Sequence, residues 1–124
     1  MAVNVVLAVG LDRWQFAAHD SAWRSSGYVV LSVNSIRDAI EHFKTGDFDL
    51  VLLGGDISSE NKERLTYLIR ASSPRTPVIS IERNSGEKDL FVDATLRDDS
   101  SALLIGMGEL LAQGPIARQV RSTP

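Results

Sequence analysis

Short apolar runs alternate with amphipathic segments along most of the chain. Four runs of six or seven residues are rich in valine, isoleucine and leucine, and a shorter segment, Ala-Thr-Leu-Arg at residues 94–97, follows them. Nearly continuous apolar sequence of this length is typical of strands that are covered on both faces, as in a parallel sheet. The pattern therefore predicts strands at residues 3–9, 28–33, 48–53, 76–81 and 94–97.

The first two predicted helices carry a clear apolar stripe. Asp12, followed by Gln15 three residues later, is a variant of the capping box and begins a helix that runs to about residue 25. Phe16, His19 and Trp23 share one face of this helix, and we expect that face to meet the sheet. The second helix is predicted to begin after a capping residue, Ser35, and to end at Gly46. Its apolar stripe consists of Ile36, Ala39, Ile40 and Phe43.

The remaining helices follow from the same periodicity. The third, at about residues 60–71, is predicted with Leu65, Leu68 and Ile69 inward and Glu60, Lys62, Glu63 and Arg64 in water. The last is capped by Asp99 or Ser100 and ends at Gly114 and Pro115, with Leu103, Leu104, Met107, Leu110 and Leu111 inward. Residues 82–93 leave room for about one or two helical turns between the last two strands.

Alternation of strands and helices predicts an α/β fold. We expect a flavodoxin-like, doubly wound, five-stranded parallel sheet of order 2-1-3-4-5, with a shortened fourth helix. The predicted domain covers residues 1–114, and residues 115–124 are expected to form a mobile tail. Ligands of such sheets bind beyond the carboxyl ends of the strands, between the first and the third. This rule points to residues 10–12 and 54–56.

Composition narrows the possible partners. The 124 residues are 44% hydrophobic and 23% charged, with a net charge of −3 and no cysteine. A basic patch for nucleic acid is missing, and the run at 3–9 is too short to span a membrane. We therefore expect no direct nucleic-acid contact, no membrane contact, no thiolate metal site and no cofactor. We also expect a cytoplasmic location for such a chain.

Four stretches, taken in order, resemble the response-regulator receiver domain, the phosphorylated module of bacterial two-component signalling. Residues 27–30, 35–40 and 46–53 are similar to the second strand, second helix and third strand of that family. Pro-Arg-Thr-Pro-Val-Ile, at residues 74–79, resembles the approach to its fourth strand. The resemblance covers most of residues 3–112 and implies the same sheet order and a role in signalling.

The resemblance also implies a phosphorylation pocket, and this chain departs from it. The phosphoacceptor aspartate should follow the run Asp-Leu-Val-Leu-Leu, where Gly54 stands. The Mg²⁺-holding acidic positions after the first strand correspond to Gly10 and Leu11, and Asp12 is the acidic residue left there. The hydroxyl residue that ends the fourth strand and the lysine after the fifth correspond, respectively, to Glu82 and Arg97.

Asp56 is the one nearby carboxylate that could replace the missing acceptor. It lies two residues beyond Gly54, which is about 6.6 Å of extended chain, whereas Mg²⁺ binds oxygen at about 2.1 Å. Asp56 could serve only if its loop folded back, and a helix-capping or solvated aspartate is the simpler interpretation. Gly54 and Gly55 are likewise better explained as a turn than as an anion cradle.

Three other residues invite a functional interpretation. Asp12 is explained by capping, and His19 by packing against Phe16 and Trp23. Trp14 points away from Trp23 on the helix, so it could either anchor a partner or cover the edge of the core. The two histidines are far apart in the pattern, and a metal site is not expected.

The leading hypothesis is a degenerate receiver that is not an enzyme and acts by phosphorylation-independent protein contacts, with a protein partner or as a homodimer. A second hypothesis is that the frame senses a small anion or metabolite, because Gly10, Gly54 and Gly55 remove side-chain bulk from the pocket. A third is a non-standard phosphoacceptor at Asp56. An enzyme of flavodoxin-like fold ranks below these because no nucleophile with its base is evident.

Overall fold

All five strands pair in parallel in a single sheet of order β2-β1-β3-β4-β5. The computed structural model describes residues 4–82 and 91–122, the last ten without their side chains. The predicted sheet order is confirmed. The strands are β1 (Asn4–Val9), β2 (Tyr28–Val33), β3 (Leu50–Leu53), β4 (Val78–Glu82) and β5 (Ala94–Arg97).

The helices in the described part of the chain are α1 (Arg13–Ser25), α2 (Ile36–Thr45), α3 (Ser59–Ser72) and α4 (Ser100–Ser122). Each N-terminus is capped by a side chain that accepts a backbone N–H, which satisfies a group that the helix leaves free. Asp12 accepts from Gln15 N, Ser35 from Asp38 N, Ser58 from Asn61 N and Asp99 from Ser101 N. The predicted caps at Asp12, Ser35 and Asp99 are confirmed.

Helices cover both faces of the sheet, which explains why its central strands are apolar throughout. On one face α1 and α4 pack Trp23, Leu103 and Met107 against the sheet. On the other face α2 and α3 pack Ala39, Leu65 and Ile69. Neighbouring residues of β1, β3 and β4 point alternately into these two cores, as the pleat requires.

The inward face of α3 differs from its prediction. Lys62, expected in water, is only 7% exposed, whereas Leu68, expected inside, is 44% exposed. The buried residues are Lys62, Leu65, Thr66 and Ile69, which follow the spacing i, i+3, i+4, i+7. Two polar residues belong to this stripe, so a search for apolar positions alone misplaces the helix face.

The predicted end of the last helix is also wrong. The helix continues through Gly114 and Pro115 to Ser122. Proline removes one N–H, but its fixed φ is close to the helical value, so the chain can continue through it. The short fourth helix was predicted within residues 82–93. Of these, 82 and 91–93 are not helical, and 83–90 lie outside the described residues. No helix in the described ranges is both long and apolar enough to cross a membrane.

Two glycines of α4 should respond in opposite ways to alanine. A Cβ on Gly108 would meet nothing within 4 Å, whereas one on Gly106 would lie 2.4 Å from Leu96 Cδ1. We expect Gly108→Ala to raise the free energy of unfolding by about 0.5–1 kcal/mol through helix propensity. Gly106→Ala should be less stable than Gly108→Ala by roughly 1–3 kcal/mol because Leu96 must move. Urea denaturation of both variants checks this, and equal stabilities would contradict the packing of α4 on β5.

Candidate functional site

The carboxyl ends of β1 and β3 touch each other through two glycines. Gly54 N donates to Val9 O at 2.7 Å, and Gly54 is buried. A Cβ on Gly54 would lie 2.4 Å from Gly10 O, 2.7 Å from Gly10 C and 2.9 Å from Leu11 Cδ2. Two of these atoms are backbone and cannot move aside cheaply. The position that corresponds to the phosphoacceptor therefore has no room for a side chain.

Apolar side chains close the space around this contact. Leu11 is buried in the core beneath α1 and α4. Ile57, in the loop after β3, covers Gly10 so closely that a Cβ on Gly10 would lie 2.3 Å from Ile57 Cγ1. Gly10 also has a φ of +73°, a left-handed value that favours glycine. The glycines were expected to leave open space for a ligand, but neighbouring groups fill the space at Gly10 and Gly54.

We refer to the closed contact of Gly10, Leu11, Gly54 and Ile57 as the floor. An open cleft lies next to it, lined by residues that follow these in the two loops. Its volume is about 280 Å³, and Asp12, Trp14, Gln15, Asp56 and Asp98 are among the residues that line it. Asp12 and Asp56, both predicted as pocket residues, are therefore brought to one place. Asp98, from the segment between β5 and α4, joins them, and nothing in the sequence pattern singled it out.

Gln15 connects the beginning of α1 to Asp98. In a full capping box its side chain would return to the N-cap backbone. Instead, Gln15 Nε2 donates to Asp98 Oδ2 at 3.1 Å, while the backbone N–H of Gln15 donates to Asp12 Oδ1 at 2.7 Å. One residue thus holds two of the three carboxylates of the cleft in position.

His19 lies behind the cleft and joins α1 to the beginning of α4. The ring is only 3% exposed and lies 5.4 Å from the ring of Trp23, between centroids. Its Nε2 is 2.6 Å from Asp98 Oδ1 and its Nδ1 is 2.7 Å from Ser100 Oγ. In the neutral ring Nε2–H donates to the carboxylate and Nδ1 accepts the hydroxyl proton. The predicted packing role of His19 is confirmed.

The order Ser100, His19, Asp98 resembles a nucleophile with its base and an orienting acid. Two features oppose that role. The ring is buried, so a substrate has little access to the base. Ser101 N–H, at the beginning of α4, donates to Asp99 Oδ1 at 3.2 Å and is not free to stabilise an oxyanion. We therefore interpret the cluster as a structural link between two helices.

The other predicted pocket positions lie at the ends of β4 and β5. Glu82 and Arg97 are direct partners in the parallel register, with Glu82 half-buried and Arg97 exposed. Neither is among the residues that line the cleft. Two residues before Glu82 in β4, Ser80 accepts a hydrogen bond from the buried Lys62 Nζ at 2.9 Å. Among the described residues, the buried cation beside β4 therefore comes from α3, and not from β5.

Mg²⁺, which the receiver resemblance implies, does not fit the residues present. A magnesium site needs hard oxygen ligands in near-octahedral geometry. Gly10 and Leu11 supply no carboxylate, and the floor is apolar. In the described ranges, no three histidine, cysteine, aspartate or glutamate side chains are grouped so that they could hold a metal ion.

Comparison with solved structures identifies the fold. The receiver domain of the TMAO respiratory response regulator TorR superposes with a TM-score of 0.76 and 21% identity, over 89% of this chain and 98% of that one. The receiver domain of the sensor histidine kinase PA1611 from Pseudomonas aeruginosa PAO1, which has magnesium coordinated in its active-site cleft, gives a TM-score of 0.75 and 19% identity, over 90% and 99%. The chain therefore has the fold of two-component receiver domains.

Sequence comparison gives a partial match. The autoinducer 1 sensor kinase/phosphatase LuxN, from Vibrio campbellii and from Vibrio harveyi, is 31% identical over 72 residues. The match covers 58% of this chain and 8% of LuxN. The chain therefore spans a small part of the length of the curated relatives it matches. No protein-family model matches the sequence.

Proposed function

We propose that this domain is a receiver that no longer accepts phosphate and acts by phosphorylation-independent contact with another protein. The observation that carries the proposal is the contact between Gly10 and Gly54. An acyl phosphate needs a carboxylate at the tip of the third strand, and the backbone of Gly10, directly after β1, occupies the space where its Cβ would lie. The missing aspartate is thus accompanied by a closed pocket.

The residues around the contact support the same proposal. Phosphoryl transfer requires positive charge to neutralise the incoming phosphate. Buried Leu11 and the apolar side chain of Ile57 form part of the floor, and three carboxylates line the cleft next to it. These carboxylates repel a phosphate dianion. They also disfavour the second hypothesis, a small anion sensed at this end of the sheet.

Protein contact is the function that remains for a domain of this kind. Large apolar side chains are exposed on several elements, notably Trp14, Tyr67 and Ile105. Exposed aromatic groups are common anchors of protein interfaces. The proposal includes a protein partner or a second copy of the chain, with no enzymatic activity, no direct nucleic-acid contact and a cytoplasmic location.

Incubation with acetyl phosphate and Mg²⁺ tests the proposal. The intact mass of the protein should stay unchanged because none of the described carboxylates near the ends of β1 and β3 combines a nucleophilic position with a set of ligands for Mg²⁺. Asp56→Asn should behave in the same way as the wild type. A stable increase of one phosphoryl group that disappears in Asp56→Asn would instead establish Asp56 as the acceptor and overturn the proposal.

A further inference from the structure

Trp14 is the most exposed large apolar side chain in the described residues. Its side chain lies at the beginning of α1 and is 81% exposed, whereas Trp23 of the same helix is fully buried. Burial of an exposed indole against a partner is favourable, and tryptophan is enriched at the centres of protein interfaces. The sequence left the role of Trp14 open, and its exposure favours an anchor over a cover for the core.

The indole forms one wall of the acidic cleft. Asp12, Asp56 and Asp98 line that cleft, and none of its lining residues is a lysine, arginine or histidine in the part of the chain that the structure describes. An aromatic face beside several carboxylates attracts a cation in two ways, through the ring quadrupole and through charge. The cleft therefore complements a positive group.

Two of the carboxylates are fixed before any ligand arrives. Asp12 accepts from Gln15 N, and Asp98 accepts from His19 Nε2 and Gln15 Nε2. A carboxylate has about four lone-pair positions, so each retains acceptor capacity for a further donor. The side chain of Asp98 is 42% exposed, which leaves it accessible from the cleft. Preorganised acceptors reduce the entropy that a ligand must lose on binding.

We propose that this cleft receives an arginine side chain of the partner protein, stacked on Trp14 and hydrogen-bonded to the carboxylates. The inference rests on the proposed function, since it names the chemistry of the contact through which the domain acts. Arginine fits better than lysine because its planar guanidinium stacks on an indole and offers five donors to carboxylates. A volume of about 280 Å³ is enough for one such group.

Amide NMR with a matched pair of peptides tests the inference. The probe is acetyl-Gly-Gly-Arg-Gly-Gly-amide, and its control carries citrulline, which has a similar shape but no charge. The arginine peptide should shift the Trp14 indole N–H in a saturable way and leave that of buried Trp23 nearly unchanged. The citrulline peptide should bind at least about threefold more weakly, and added salt should weaken the arginine peptide most.

Substitutions of cleft residues test the same inference through the affinity for the arginine peptide. Trp14→Ala and Asp56→Asn should each weaken the arginine peptide by about two- to fivefold, the range expected for losing one exposed cation–π or ion-pair contact. Tyr67→Ala removes an exposed aromatic of α3, outside the cleft, and should bind as the wild type does. Circular dichroism of each variant verifies that it is folded.

Several results would overturn the inference. They are the absence of any shift at Trp14, equal binding of the citrulline peptide, and an unchanged affinity in both cleft variants. A dimer with Trp14 buried between two copies, seen by sedimentation equilibrium and by loss of its exposure to acrylamide, would assign the surface to self-association instead. If peptide binding fails while acetyl phosphate leaves the mass unchanged, only this inference is lost.

Discussion

Gly54→Asp, which returns an aspartate to the expected acceptor position, should destabilise the domain and leave it unable to accept phosphate. Its Cβ would meet Gly10 O at 2.4 Å, so the two loops must separate. The carboxylate would then lie against the apolar side chain of Leu11. Overpacking and burial of a charge against apolar atoms together should cost about 3 kcal/mol or more. Urea denaturation measures the loss, and mass spectrometry with acetyl phosphate measures phosphorylation.

Two controls separate the causes of that loss. Gly54→Ala adds the Cβ without the charge and should cost roughly 1–3 kcal/mol. Gly108→Ala adds a Cβ to a glycine of α4, where that atom would meet nothing within 4 Å. It should therefore be the milder variant. A Gly54→Asp variant as stable as the wild type would show that the floor opens easily, and one that is also phosphorylated would contradict the proposed function.

His19→Ala should lower the free energy of unfolding by about 2–4 kcal/mol. The substitution leaves a cavity beside Trp23 and removes the partner of both Asp98 Oδ1 and Ser100 Oγ. The link between α1 and the beginning of α4 is lost, so the cleft residues at the beginning of α1 and just before α4 should become more mobile. Urea denaturation gives the stability, and amide hydrogen exchange near residues 98–103 shows where the structure loosens.

His42→Ala is the matched control for His19→Ala. His42 is exposed on α2, and surface substitutions of this kind usually change stability by less than about 0.5 kcal/mol. If His19→Ala were as mild as His42→Ala, the His19 bridge would contribute nothing measurable. The ring would then be a passive part of the core.

Most of the fold could be predicted because its physical signals are local. Buried strands are continuous apolar runs, and α2 shows an unbroken stripe from Ile36 to Phe43 that the structure packs inward. The prediction fails where a polar residue is buried at a position of the inward-facing stripe. Lys62 belongs to the buried stripe of α3 because its ammonium reaches Ser80, and no periodicity of apolar residues reveals this. Phe48, predicted in β3, stacks on Phe43 before the strand begins.

The site was only partly predictable. The rule for parallel sheets located its two loops, and Asp12 and Asp56 do line one cleft. The contact between Gly10 and Gly54 could not be predicted because it depends on the separation of two backbones, which carries no signature in the sequence. Asp98 was missed for a related reason. Its role comes from His19 and Gln15, which lie 79 and 83 residues away in the chain.

A closed floor has a consequence for signalling. A ligand shifts a conformational equilibrium only by the difference between its affinities for the two states. Under the proposed function phosphate does not bind, so it cannot supply that difference. The proposed receiver therefore presents one surface constantly, and its regulation would depend on the abundance or competition of the partner.

Amide NMR of the wild-type protein with Mg²⁺ and beryllofluoride, a mimic of the acyl phosphate, tests the central claim most directly. The mimic requires the same carboxylate and the same cation as the phosphoryl group, but no chemical reaction. The account predicts that the resonances of residues 9–12 and 53–57 keep their positions at millimolar concentrations of both ions. Saturable shifts confined to these two loops would show that a working pocket exists and would contradict it.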